Sequence, residues 1–186
     1  GDDGAVEDLP PHVVAVGGLP YHTQGVQLLT NDPALARYVT ARGFLRRFVI
    51  EVRGRIPRHL LDSISRGGHI DGEQLPGLDF RVAHEGRTKT FLELNLFHDD
   101  RNGDIRKMLK AIHCQVKMVK RVQYGPFFVK GIPRGCTREA PVPKDWLPHT
   151  SCMWRTFAAV VHREEMALLA RARRRADFDD YRLDME

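Results

Sequence analysis

The pattern of apolar and polar positions divides this chain into short elements separated by turn residues. His12–Val16 is a β-branched run that predicts a buried strand, and Gly17, Gly18 and Pro20 break it into a turn. Val26–Thr30 predicts a second strand. Asp32-Pro33 then opens a helix, with Asp32 as N-cap, Pro33 in the first helical position, and Leu35, Tyr38 and Val39 on the apolar face. Phe48–Arg53 alternates, with Phe48, Ile50 and Val52 on one side and Val49, Glu51 and Arg53 on the other, as a half-buried strand does. Pro57–Ser65 predicts a short helix that Gly67-Gly68 terminates. Asp79–His84 and Thr90–Phe97 predict paired strands joined at Glu85-Gly86, with Leu92, Leu94 and Leu96 on the core side.

Further along, Ile105, Met108, Leu109 and Ile112 recur at helical spacing, which leaves Arg106, Lys107 and Lys110 on the opposite side of that helix. Pro141–Pro148 is proline-rich and reads as a linker. Thr150–Ala176 carries one helical pattern, with Met153, Phe157, Val160, Val161, Leu168 and Leu169 apolar. That stripe suits docking on its own domain or contact with a partner protein. We therefore expect three parts. Residues 1–11 form an acidic linker or the remnant of a missing N-terminal portion, since residue 1 is glycine and not methionine. Residues 12–142 form the main domain, and residues 143–186 a C-terminal helical extension.

Composition narrows the class. The 186 residues are 42% hydrophobic, which suits one domain with its own core plus an appendage. No apolar run approaches the roughly 20 residues that span a bilayer, so no membrane partner is expected. Cys114, Cys136 and Cys152 are far apart and form no CxxC pair, and no HExxH accompanies them, so we expect no metal site and thiols in a reducing compartment. No phosphate-binding glycine loop or nucleotide fingerprint is present. The net charge is +5, and residues 101–130 hold eight Lys/Arg and one acid, a local balance of +7. Such a run is either a solvated face or a phosphate-contacting one.

The candidate chemistry lies in Val16–Asp32, VGGLPYHTQGVQLLTND, and in Arg101–Lys110, RNGDIRKMLK. The first resembles, without a gap, the pattern VGRLDYDTEGLLLLTND of Rsu-type ribosomal-RNA pseudouridine synthases. The second resembles their RNRQVRRML. Arg121-Val-Gln-Tyr-Gly-Pro is similar to their closing RVRFGP, and Pro133, Gly135, Arg138 and Glu139 match PxGxxRE. The resemblance covers roughly residues 9–140, in the family's order. It implies an α+β fold, with a mixed, mainly antiparallel sheet, flanking helices and a basic cleft. It also implies a reaction that needs neither cofactor nor metal.

Two departures fall on the chemistry. The family's catalytic aspartate matches Pro20, and the arginine two residues before it matches Gly18. A carboxylate that attacks or deprotonates the nucleoside has no substitute in a proline side chain. From this we expect no catalytic residue and no enzyme: a pseudoenzyme that binds or scaffolds RNA in ribosome assembly or on a ribosomal particle. The alternative is an active synthase with a displaced acid, for which Asp32 and Asp104 are nearest in sequence. A third reading is a purely protein-binding role through the C-terminal helix.

The resemblance implies RNA contacts at Tyr21, Arg46, Phe48, Arg101, Asn102, Arg106, Lys107 and Lys110. Phe48 stands where the family has a tyrosine that packs on the target base, and it is equally well a core aromatic. Arg106 matches the arginine that pairs with the family's aspartate, so here it is expected to face phosphate, a replacement acid or water. The implied partners are ribosomal RNA and ribosomal or assembly proteins. A basic, divergent relative of this kind suits the mitochondrial matrix.

Overall fold

A computed structural model describes residues 12–98 and 104–149 in full, and the backbone of 158–163. In chain order the elements are β1 (Val14–Val16), β2 (Gln24–Thr30), α1 (Pro33–Ala41), β3 (Arg46–Arg53), α2 (Arg58–Ser65), β4 (Gly68–Ile70), β5 (Glu73–Leu75), β6 (Arg81–Glu85), β7 (Lys89–Leu96), α3 (Asp104–Ala111), β8 (Val116–Tyr124), β9 (Phe127–Phe128), β10 (Thr137–Glu139) and β11 (Ala158–Arg163). Nine of the strands form one sheet in the order β10-β11-β2-β8-β3-β7-β6, with β1 on β2 and β9 on β8. Its pairs are antiparallel except β2 with β8. The fold is therefore α+β, with the mixed and mainly antiparallel sheet that the family resemblance implies.

Local signals account for most of the elements. Asp32 Oδ1 accepts from Ala34 N at 2.8 Å and from Leu35 N at 3.2 Å, so the N-cap forms as expected, with Pro33 following. Leu35 and Val39 are buried beneath α1. The hairpin β6–β7 turns through residues 86–88. Asp71 and Gly72, both with positive φ, make the tight turn of β4–β5.

Two apolar clusters hold the sheet. One gathers Phe48, Ile50 and Val52 of β3, Leu92 and Leu94 of β7, Val119 of β8 and the buried stripe of α3, Ile105, Met108 and Leu109. The other joins Val26 and Leu28 of β2 to α1, Tyr124, Ile132 and Trp146.

The C-terminal part corrects two expectations. Residues 158–163, placed by pattern inside a helix, form β11, which pairs with β2 along Gly25–Thr30 and with β10. Its centre is Val160-Val161, a β-branched pair, and the open edge of β2 offers unpaired backbone groups that a strand satisfies and a helix does not. The remainder of the expected helix lies outside the described residues. The proline-rich stretch around Pro143 is not a free tether either. Trp146 is only 3% exposed and packs against Phe44 and Phe127, while His149 stacks on Tyr38 at 3.6 Å. The boundary expected at residue 142 therefore cuts through a single core, because burial of one indole outweighs the local preference for an open linker.

Candidate functional site

Residues 17–23 leave the sheet between β1 and β2 as a bent segment with Pro20 near its tip. Gly17 takes a φ of 59° and His22 a φ of 65°, and Thr23 N donates to Pro20 O at 3.1 Å. A left-handed third residue is what a type II turn requires, and a histidine there is uncommon. Three elements hold this segment by its carbonyl oxygens. Gln27 Nε2, on β2, donates to Val16 O at 2.9 Å and Gly17 O at 3.0 Å. Arg121, on β8 and fully buried, donates to Val26 O at 2.9 Å, Gly17 O at 3.3 Å and, more weakly, Gly18 O at 3.5 Å. Arg106 Nη2, on α3, donates to His22 O at 2.6 Å. The result is a segment fixed at both shoulders. At its tip Tyr21 is 69% exposed, with His22 edge-on to its ring at 4.2 Å.

Gly25 explains how closely β2 approaches β8. Its φ is 108°, and a Cβ there would lie 2.1 Å from Arg121 O. By contrast, Gly18 is exposed and nothing lies within 4 Å of where its Cβ would stand. The position that matches the family's arginine is thus open to a side chain, while Gly25 is required by the backbone.

The residues expected to face RNA separate into groups. Arg46 and Phe48 are completely buried, which corrects their assignment. Both lie on β3, where Phe48 packs in the apolar cluster that includes α3 and Arg46 lies over the ring of Tyr124. Phe48 is a core aromatic. The two terminal nitrogens of the Arg46 guanidinium bond internally: they donate to Phe44 O at 3.1 Å, to Phe97 O and to the Tyr124 hydroxyl at 2.8 Å. Lys107 is half-buried, and its Nζ lies 2.5 Å from Glu73 Oε2 of the β4–β5 hairpin. That carboxylate raises the Lys107 ammonium above the ordinary lysine value, with smaller contributions from Asp104 and Asp71. Lys110 is exposed. Arg101 and Asn102 lie outside the described residues. Arg106 is half-buried and donates to the backbone carbonyl of His22, a partner other than the phosphate, acid or water expected of it.

The two acids considered as replacements differ as well. Asp32 is 3% exposed and committed to the cap of α1. Asp104 is half-buried in the first turn of α3, two residues before Arg106. Among the described residues no group of three or more His, Cys, Asp or Glu side chains could hold a metal ion.

Arg121 and Gln27 are the residues that sequence reasoning passed over. The available signal was polarity in the wrong place: a lone arginine inside the run Val116–Tyr124, and a glutamine within Val26–Thr30. A buried polar side chain in a central strand has to find partners.

Comparison with known proteins fits this geometry. The chain is 28% identical over 136 residues to ribosomal large subunit pseudouridine synthase B of Bacillus subtilis, covering 72% of this chain and 56% of that protein. It is 33% identical over 137 residues to an uncharacterized RNA pseudouridine synthase of Aquifex aeolicus, covering 72% and 54%. A solved pseudouridylate synthase superposes with a TM-score of 0.53 at 15% identity, over 64% of this chain and 51% of that one, a likeness of fold. No family profile matches. The homologues of this chain are thus Rsu-type pseudouridine synthases, and its fold is that of a pseudouridine synthase. It spans little more than half the length of the curated relatives above.

These relatives correct the expectation of a protein that is no enzyme. They are named as pseudouridine synthases, one of them of the ribosomal large subunit. A proline at one position removes one carboxylate. It does not remove the scaffold around it.

Proposed function

We propose that this chain acts on RNA as a pseudouridine synthase, with ribosomal RNA as the substrate class and Asp104 supplying the carboxylate. The observation that carries the reading is the family's turn, kept and anchored by Arg106 and Arg121, in a chain whose relatives are named for this reaction. Asp104 is preferred over Asp32 because the latter caps α1 and is buried. In the isomerisation the bond from the sugar to N1 of uracil breaks and a bond to C5 forms. The C5 proton is lost to solvent, and N1 gains one. Asp104 attacks or deprotonates the sugar, and Tyr21, exposed at the tip of the turn, offers a ring against which a base stacks. Lys110 and Arg106 contribute positive charge along the phosphate path.

We extend the proposal to ribosomal or assembly proteins as further partners and to the mitochondrial matrix, on the basic and divergent character of the chain. Copurification and fractionation test those two points.

The reaction is tested by incubating the protein with ribosomal RNA and mapping pseudouridine by chemical modification. Wild type should create a site that Asp104→Asn abolishes and Asp32→Asn retains. RNA left unmodified by wild type would overturn the proposal. A site that survives Asp104→Asn would move the acid elsewhere in the chain.

A further inference from the structure

Lys120 lies in β8 directly opposite Gln24 in the parallel pair and opposite Val49 on its other side. Residues paired in this way project to the same face of the sheet. Lys120 is half-buried. Gln24 is 3% exposed, and its amide nitrogen is buried with no acceptor. Arg134 is close enough for its positive charge to bear on the Lys120 ammonium. The nearest acid on the facing strand is Glu51, which stands opposite Met118, a diagonal neighbour, and among the described residues makes no ion pair with Lys120.

A lysine removed from water beside a second cation, next to an unmet amide donor, is an unfavourable arrangement. One ligand chemistry resolves it: an oxyanion accepts from the Gln24 amide and the Lys120 ammonium, and the charge of Arg134 favours it. The location fits such a ligand, because Gln24 directly follows the Pro20–Thr23 turn. We propose that Gln24 and Lys120 form a binding site for a phosphate group, occupied by a backbone phosphodiester of the RNA beside the target nucleotide. This rests on the RNA reading for the identity of the phosphate, but not for the existence of the site.

The test uses the full chain and two variants, Lys120→Met and Gln24→Glu. The second places a carboxylate beside Lys120 and so supplies the anion from within. RNA affinity is measured over a range of salt. Loss of one phosphate contact flattens the slope of log K against log salt by about 0.7 for a single strand. Both variants should show that flattening and a lower affinity for every RNA sequence. Gln24→Glu should at the same time melt no lower than wild type, an outcome that separates a filled anion site from a damaged fold. In a second arm, inorganic phosphate should raise the melting temperature of wild type above that in chloride of equal ionic strength, and Lys120→Met should lose the difference. If wild type binds no RNA but keeps this phosphate effect, the RNA reading fails and the site stands. Unchanged salt slopes together with equal melting in phosphate and chloride would overturn the site itself.

Discussion

Arg106 and His22, 84 residues apart in sequence, meet through a hydrogen bond of 2.6 Å from the guanidinium to the backbone carbonyl. The bond ties the first half of α3 to the turn that carries Pro20. It also holds His22 in a left-handed conformation that histidine adopts uncommonly. Arg106→Ala should therefore loosen the turn without unfolding the domain. Amide exchange at Tyr21, His22 and Thr23 should quicken at least about tenfold, while strands β3 and β7 keep their protection. Equal protection of the turn in both proteins would show that this bond does not fix it.

The two glycines of the motif should respond oppositely to substitution. Gly25→Ala meets Arg121 O at 2.1 Å in a φ region that alanine avoids, so it should cost at least about 2 kcal/mol and lower the melting temperature by several degrees. Gly18→Ala and Gly18→Arg meet open space and should leave the melting temperature within about 2 °C of wild type. Denaturant titration of the three variants side by side checks the ranking. A destabilised Gly18→Ala would contradict the open space.

Arg121→Met removes a buried guanidinium and leaves the carbonyls of Val26, Gly17 and Gly18 short of a donor. Breaking such a buried polar arrangement typically costs about 3 kcal/mol or more. Because the lost bonds converge on one segment, the turn should lose exchange protection before the rest of the sheet. A variant as stable as wild type would show that other donors take over.

Lys120 provides a pH test. Burial first, and then the charge of Arg134, hold its pKa below the ordinary lysine value. A lowered folded-state pKa means that the unfolded chain binds this proton more tightly. The contribution of Lys120 to stability therefore improves as pH rises from the lowered folded value toward about 10.5. Lys120→Met should melt higher than wild type at neutral pH in chloride, and the gap should narrow as pH climbs toward that range. A gap independent of pH would place the effect on packing rather than on charge.

Much of the fold is legible from local pattern. The cap at Asp32, the β6–β7 pair and the stripe of α3 follow from spacing and turn chemistry alone, because their partners lie near in sequence. The placement of β11 does not. Its pairing with β2 spans more than 100 residues and depends on an edge that is apparent only once the sheet exists. The site was legible as a set of residues but not as a set of contacts. Arg46 and Phe48 were assigned to RNA from their motif, yet both are fully buried in the interior. The opposite omission befell Arg121, whose partners are backbone carbonyls that carry no sequence signal.

The central claim is that this chain isomerises uridine in RNA with Asp104 in place of the acid missing at position 20. Rejoining uracil through C5 expels the hydrogen on that carbon, so RNA carrying tritium at C5 of its uridines reports the reaction as tritium released to water. The rates for wild type and Asp104→Asn, at saturating RNA, are the direct measurement. We predict steady release by wild type and a loss of at least about 100-fold in Asp104→Asn, with RNA affinity unchanged. Release by wild type no faster than from RNA alone would contradict the account.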